Sequence, residues 1–166
     1  HNIANIVGCA CVAYRLGLNP AQIRLGIRKL QPVEHRLQLV PTAGGVTVID
    51  DAFNANPSGV RAAMEVLSAF EGRKIVVTPG LVELGEREAE ENRAFGQVMA
   101  GVADIVLLVG PKHTKPIYEG LVESGFSESA IQVFKSLSEA TEALWKLAKP
   151  WDVVIFENDL PDNYNE

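Results

Sequence analysis

The spacing of apolar residues changes near residue 34. Before it, apolar positions recur at helical intervals; after it, short β-branched runs alternate with longer amphipathic stretches. Residues 2–16 read as a helix. Asn19-Pro20 supplies an N-cap and a first-turn proline for a second helix, which runs to about Leu30 with Ile23, Ile27 and Leu30 on one face. Gln31 to His35 breaks the pattern as a linker. Arg36 to Val40 alternates like a strand, Gly44-Gly45 turns the chain, and residues 46–50 form the next strand. Helices are then expected over 58–70, 88–101, 114–124 and 138–148, and strands over 74–78, 104–109, 131–134 and 153–157. Runs such as Ile75-Val76-Val77 and Val153-Val154-Ile155-Phe156 suit strands covered on both faces. The pattern predicts an α/β, Rossmann-like three-layer domain over 35–166, mostly parallel with one antiparallel edge strand, about six strands in all. The two helices of 1–34 precede it and cannot enclose a core alone.

Composition narrows the function. The 166 residues are 47% hydrophobic and 22% charged, with a net charge of −6, which speaks against a nucleic-acid partner. The apolar run Ile3 to Leu16 lacks a basic n-region, carries Arg15 and is too short to span a bilayer, so neither a leader nor a membrane partner is expected. Cys9 and Cys11 are expected as small core residues of a tightly packed helix in a reducing, cytoplasmic compartment. No further cysteine follows to complete a zinc pattern, and no metal site is expected. The chain has no initiating Met and reads as a piece of a longer protein.

Candidate chemistry gathers where strands end. Asp50-Asp51-Ala52-Phe53-Asn54-Ala55-Asn56-Pro57 follows the strand at 46–50, at the edge where α/β sheets present ligand groups. Asn56-Pro57 also reads as an N-cap with a first-turn proline, and the two Asp as partners of nearby backbone amides; that leaves Asn54 and one Asp unexplained. Asn2 and Asn5 share a helix face, either capping it or reading a ligand's polar edge. Arg36 follows the linker, either as a solvated edge residue or as a phosphate contact across a cleft. His35 reads as structural. The loop Thr78 to Gly85 includes Glu83 and is no P-loop, since no Gly-Lys-Ser/Thr occurs anywhere in the chain. Gly110 to Lys115 reads as a solvated turn, with anion binding as the alternative. The tail from Glu157 to Glu166 is acidic and amide-rich, and starts at the same sheet edge.

In this order, these segments resemble the Mur ligases, ATP-dependent enzymes that build the bacterial cell-wall precursor. His1-Asn2-x-x-Asn5 resembles the nucleotide-binding helix that ends the family's central ATPase domain. Pro32-x-x-x-Arg36 resembles the opening of its C-terminal domain. Asp50 to Pro57 and Glu83-Leu84-Gly85 resemble the branch that adds D-alanyl-D-alanine. The resemblance implies that 1–34 is the end of the central domain. It implies Asn2 and Asn5 by the adenine of ATP, Arg36 on its phosphates, and Asp51 by the ribose or phosphates, with Arg36 and Asp51 as the catalytic pair. Asp50, Asn54, Asn56 and Glu83 would face the acceptor. The implied substrates are a UDP-MurNAc-peptide and an amino acid or dipeptide. ATP and Mg are the implied cofactors, with the metal ligands mainly in the central domain. The partners would be the central and N-terminal domains of the same protein. Without a P-loop the chain alone is expected to be inactive.

The chain departs from the family in His35, which replaces the usual Gly before Arg36, as in some members. It departs from that branch where Thr78-Pro79-Gly80 replaces Gly-Asp-Met, where Trp151-Asp152 replaces Gly-Asp before the last strand, and where Glu157-Asn158-Asp159 stands in place of a Lys-Gly-Ser-Arg-like segment after it. Two further readings therefore stay open: a related amino-acid or polyglutamate ligase with another acceptor, and a non-catalytic α/β module that binds a nucleotide or a partner.

Overall fold

A computed structural model of the chain describes residues 3–31, 33–40, 42 and 44–159. The expectations for Asn2, for Pro32 and for the tail from Leu160 onward lie outside the described residues. The chain divides into two units, residues 1–33 and 34–166.

The first unit holds α1 (Ile3–Arg15) and α2 (Pro20–Arg28). Asn19 caps α2 as its sequence suggests: its Oδ1 accepts from the Gln22 amide at 3.0 Å, and Gln22 Oε1 accepts from the Asn19 amide at 2.9 Å. No residue of either helix is buried, and Cys9 and Cys11 are exposed. This corrects the expectation of a tightly packed helix with core cysteines. Two helices of 13 and 9 residues offer too little surface to enclose a side chain.

The second unit is a three-layer α/β domain. Its strands are β1 (Gln38–Val40), β2 (Thr47–Asp51), β3 (Lys74–Thr78), β4 (Ile105–Val109), β5 (Ile131–Phe134) and β6 (Val153–Glu157). They form one sheet in the order β1-β2-β6-β3-β4-β5. β1 runs antiparallel to β2 at the edge, and every other pairing is parallel. The first strand is shorter than the alternation suggests, because His35 and Leu37 adopt φ of +56° and +47°, which bends the segment out of extended geometry.

Helices α3 (Pro57–Ser68), α4 (Glu88–Ala100) and α5 (Lys115–Glu123) cover one face, and α6 (Leu137–Leu147) covers the other. Strand alternation sorts the core accordingly. Ile49, Val76 and Ile155 face α3 to α5, while Val48, Val77 and Val154 face Ala140 and Leu144 of α6. Each large side chain taken fully out of water here stabilises the fold by about 1.5–3 kcal/mol.

The topology determines where polar groups meet. The connection from β2 through α3 to β3 passes over the position of β6, and β6 enters last, from α6 on the opposite face. The carboxyl ends of β2, β6 and β3 therefore lie side by side, at a switch point where ligands bind in open α/β sheets.

Candidate functional site

β2 ends in two aspartates that point to opposite faces of the sheet. Asp50 lies beside Phe156 and Asp51 beside Glu157, as register partners on β6. Asp50 Oδ1 accepts from the Ala52 amide at 3.1 Å, and Oδ2 lies 2.8 Å from His35 Nδ1. Asp51 Oδ1 accepts from the Leu37 amide at 2.9 Å. The two aspartates thus clamp both sides of Arg36, from adjacent residues. This explains how a non-glycine residue holds φ +56° before Arg36: the imidazole bond to Asp50 compensates a conformation that glycine adopts without cost.

Arg36 itself lies over the Phe53 ring, 4.6 Å from its centroid, and donates from Nη1 to the Asn54 carbonyl at 2.7 Å. One guanidinium edge is fixed by these contacts while the residue stays partly exposed. A cation held this way is aimed rather than solvated at random. Asn54 and Phe53 are exposed at the same turn. Asn56 is the N-cap of α3, its Oδ1 accepting from the amides of Ser58 at 3.1 Å and Gly59 at 2.9 Å. The capping reading of Asn56-Pro57 therefore holds, and the Asn56 oxygen is already engaged.

The third strand end joins through Asn158, which nothing in the local sequence pattern singles out. Asn158, 5% exposed and at φ +66°, accepts on Oδ1 from the Ala55 amide at 3.0 Å and donates from Nδ2 to the Gly80 carbonyl at 2.6 Å. Its own amide donates to the Asp51 carbonyl at 3.2 Å. One side chain ties the loops after β2, β6 and β3 together. The loop after β3 is further organised by Asn92, 1% exposed on α4, which accepts from the Leu81 amide and donates to its carbonyl, both at 2.8 Å. A Cβ at Gly80, φ +87°, would lie 2.7 Å from the Asn92 oxygen, so this loop depends on that glycine. His113 Nε2 lies 3.0 Å from the same Leu81 carbonyl, while Pro111, Lys112 and Lys115 of the same turn are exposed. Glu83 stands exposed on the loop at φ +63°. Asn5 is exposed on α1, in the other unit.

Burial governs the charges. Glu157 is 1% exposed and neither carboxylate oxygen meets a donor. Burial, then the adjacent Asp51 charge, push its carboxyl well above the usual range; Arg36 opposes this. Burial also raises Asp51, against the Leu37 amide, Glu157 and Arg36, which favour its ionised form. On the face of the sheet that Asp50 shares with Val48 and Phe156, these three with His35, Phe53 and Asp159 are among the residues lining a cavity of about 440 Å³. Among the described residues no three carboxylate, imidazole or thiol groups converge on a cation.

Comparison with known proteins bears on this arrangement. Residues 35–157 match the family model described as Mur ligase, glutamate ligase domain. The UDP-N-acetylmuramoyl-tripeptide--D-alanyl-D-alanine ligase of Bacillus subtilis is 26% identical over 160 residues, covering 95% of this chain and 35% of that protein. The UDP-N-acetylmuramoylalanine--D-glutamate ligase of Rubrobacter xylanophilus is 31% identical over 155 residues, covering 93% and 33%. The crystal structure of MurF ligase from Thermotoga maritima in complex with ADP superposes with a TM-score of 0.77 at 25% identity, covering 95% of this chain and 34% of that one. The chain spans about a third of the length of the relatives it matches.

Proposed function

The chain belongs to the Mur ligase family, and we propose that it forms the C-terminal part of an ATP-dependent amide ligase that extends the peptide of a cell-wall precursor. In the proposed reaction a substrate carboxylate oxygen attacks the terminal phosphorus of ATP, and ADP leaves. The acceptor amine then adds to the carbonyl carbon of the acyl phosphate. Inorganic phosphate departs from the tetrahedral adduct, the amine loses its proton, and an amide remains. Charge gathers on phosphoryl oxygens in both steps, and positioned cations and donors must meet it.

Arg36 is a cation that this chain offers, with Asp51 beside it toward the ribose or phosphates. The observation that carries the reading is the clamp on Arg36. Aspartates on both sides of it, the Phe53 ring and the Asn54 carbonyl aim one guanidinium at the edge where three strands end. The ADP complex of the Thermotoga maritima relative supports the nucleotide part of the proposal. Asn2 and Asn5 are assigned to the adenine side. Asp50, Asn54, Asn56 and Glu83 are assigned to the acceptor, Asn56 through its amide nitrogen because its oxygen caps α3. The cavity beside Asp50, with its apolar Phe53 and Phe156 walls, has room for a small amino acid or dipeptide.

Other domains of the same protein would supply the P-loop and bind magnesium, so the 166 residues alone would not turn over ATP. No helix of the described residues is long and apolar enough to cross a membrane, and a cytoplasmic location fits the proposed substrates.

A second reading keeps the chemistry and changes the acceptor. The replacement of the 78–80 segment and of the residues after β6 favours it, and so does the similarity to a D-glutamate ligase. ADP release by the whole protein separates the two. Turnover with D-alanyl-D-alanine and the nucleotide-linked tripeptide is the expected result. Turnover only with another amino acid selects the second reading, and no ADP release with any acceptor overturns both.

A further inference from the structure

We infer that Glu157 is a positioning residue: it shares a proton with Asp51, and the two carboxyls together form the latch that holds the Leu37 amide and, with it, Arg36 on the sheet edge. Glu157 and Asp51 are direct register partners on neighbouring parallel strands and lie on the same face of the sheet. Glu157 is enclosed, and its two oxygens find no N–H or hydroxyl. Two ionised carboxylates in that position would repel each other with little water to screen them. One proton converts the repulsion into an O–H···O bond, of the strong kind formed when one partner is charged. Asp51 then accepts from Glu157 as well as from the Leu37 amide, and the turn carrying Arg36 is fixed.

The charged groups around the pair point the same way. Asp50 lies next along β2 and adds negative charge, Arg36 before β1 is the cation, and α3 brings no acidic residue in its first turn. Burial raises both carboxyls and raises Glu157 the more strongly, so Glu157 is the group that keeps the proton. On the alkaline side the proton leaves, the two anions separate, and the hold on Leu37 and Arg36 loosens. Glu157 acts through Asp51 and touches no substrate. The link to turnover rests on the ligase reading given above; the link between Glu157, Asp51 and Leu37 does not.

NMR titration of this chain tests the latch directly. The Glu157 side-chain carboxyl carbon and the Leu37 amide are expected to shift together, at a pH well above the ordinary carboxylate range. In the Glu157→Gln variant, whose carboxamide donates at every pH, the Leu37 amide shift is expected to stay flat over that interval. Titration of Glu157 in the ordinary range, or a Leu37 amide that ignores it, overturns the inference. So does a response of both signals to added magnesium chloride at neutral pH, which would put a cation where the proton is assigned. In the whole protein, the alkaline fall of turnover is expected to move to higher pH in Glu157→Gln. Coupled NMR titration without that movement supports the latch and overturns the role given to Arg36.

Discussion

β6 has a buried carboxylate at each end, and the two are treated in opposite ways. Asp152, 4% exposed just before the strand, accepts from Arg73 Nε at 3.1 Å and Nη2 at 2.5 Å, and from the Lys149 amide at 2.7 Å. Burial works to raise its pKa, but Arg73 and the Lys149 amide outweigh it and hold the carboxyl below its ordinary value. Glu157, 1% exposed at the other end, has no such donor. A sheet shaped by stability alone would pair both or bury neither, because an enclosed, unpaired carboxyl is costly. The amino end of the sheet is built for folding. The carboxyl end keeps a buried acid that no N–H or hydroxyl donor meets, with only Asp51 and Arg36 beside it, where a ligand edge is expected.

The comparison can be broken most forcefully at the amino end. Arg73→Ala strands Asp152 without its cation, and a loss of about 3 kcal/mol is expected in urea unfolding of this chain. The two ends also differ in the sign of their pH dependence. Asp152 is lowered from 3.8, so its stabilisation is present above that pH and is lost as pH falls through the folded value. Asp51 and Glu157 are raised from 3.8 and 4.5, so their contribution is present below those values and is lost as pH rises through the folded ones. Arg73→Ala should flatten the acid limb of stability, and Glu157→Gln the limb on the other side. If both substitutions act on the same limb, the contrast between the ends is wrong.

A smaller effect is expected at Asn158. Asn158→Ala leaves the Ala55 amide and the Gly80 carbonyl without their partner, and about 2 kcal/mol of stability should be lost. The loss should be accompanied by faster amide exchange in the loops after β2 and β3 while β4 and β5 stay protected. Uniform loosening of the whole sheet would instead make Asn158 an ordinary core residue.

Much of this architecture is legible along the chain. The runs at 74–78, 104–109 and 153–157 are too apolar for anything but covered strands, and Asn56-Pro57 announces the start of α3. The carboxyl-edge position of Asp50 and Asp51 follows from the β-branched run before them. The pairing of Asp51 with Glu157 does not, because β2 and β6 become neighbours only through strand order, with three strands between them in sequence. Asn158 was hidden for the same reason: its partners Ala55 and Gly80 come from distant loops. The shortening of β1 depends on left-handed geometry at His35 and Leu37, residue types that do not advertise it. The exposure of Cys9 and Cys11 is not legible in the sequence, because composition describes what a helix can pack against, not what surrounds it.

The claim that the carboxyl end serves chemistry while the amino end serves folding is tested most directly by Arg36→Ala. The measurement is steady-state ADP release by the whole protein, with the urea midpoint of the same variant beside it. A fall in turnover of about 100-fold is predicted, with the midpoint close to that of the unaltered protein. Near-normal turnover, or a loss of turnover fully matched by a loss of folding, would contradict it.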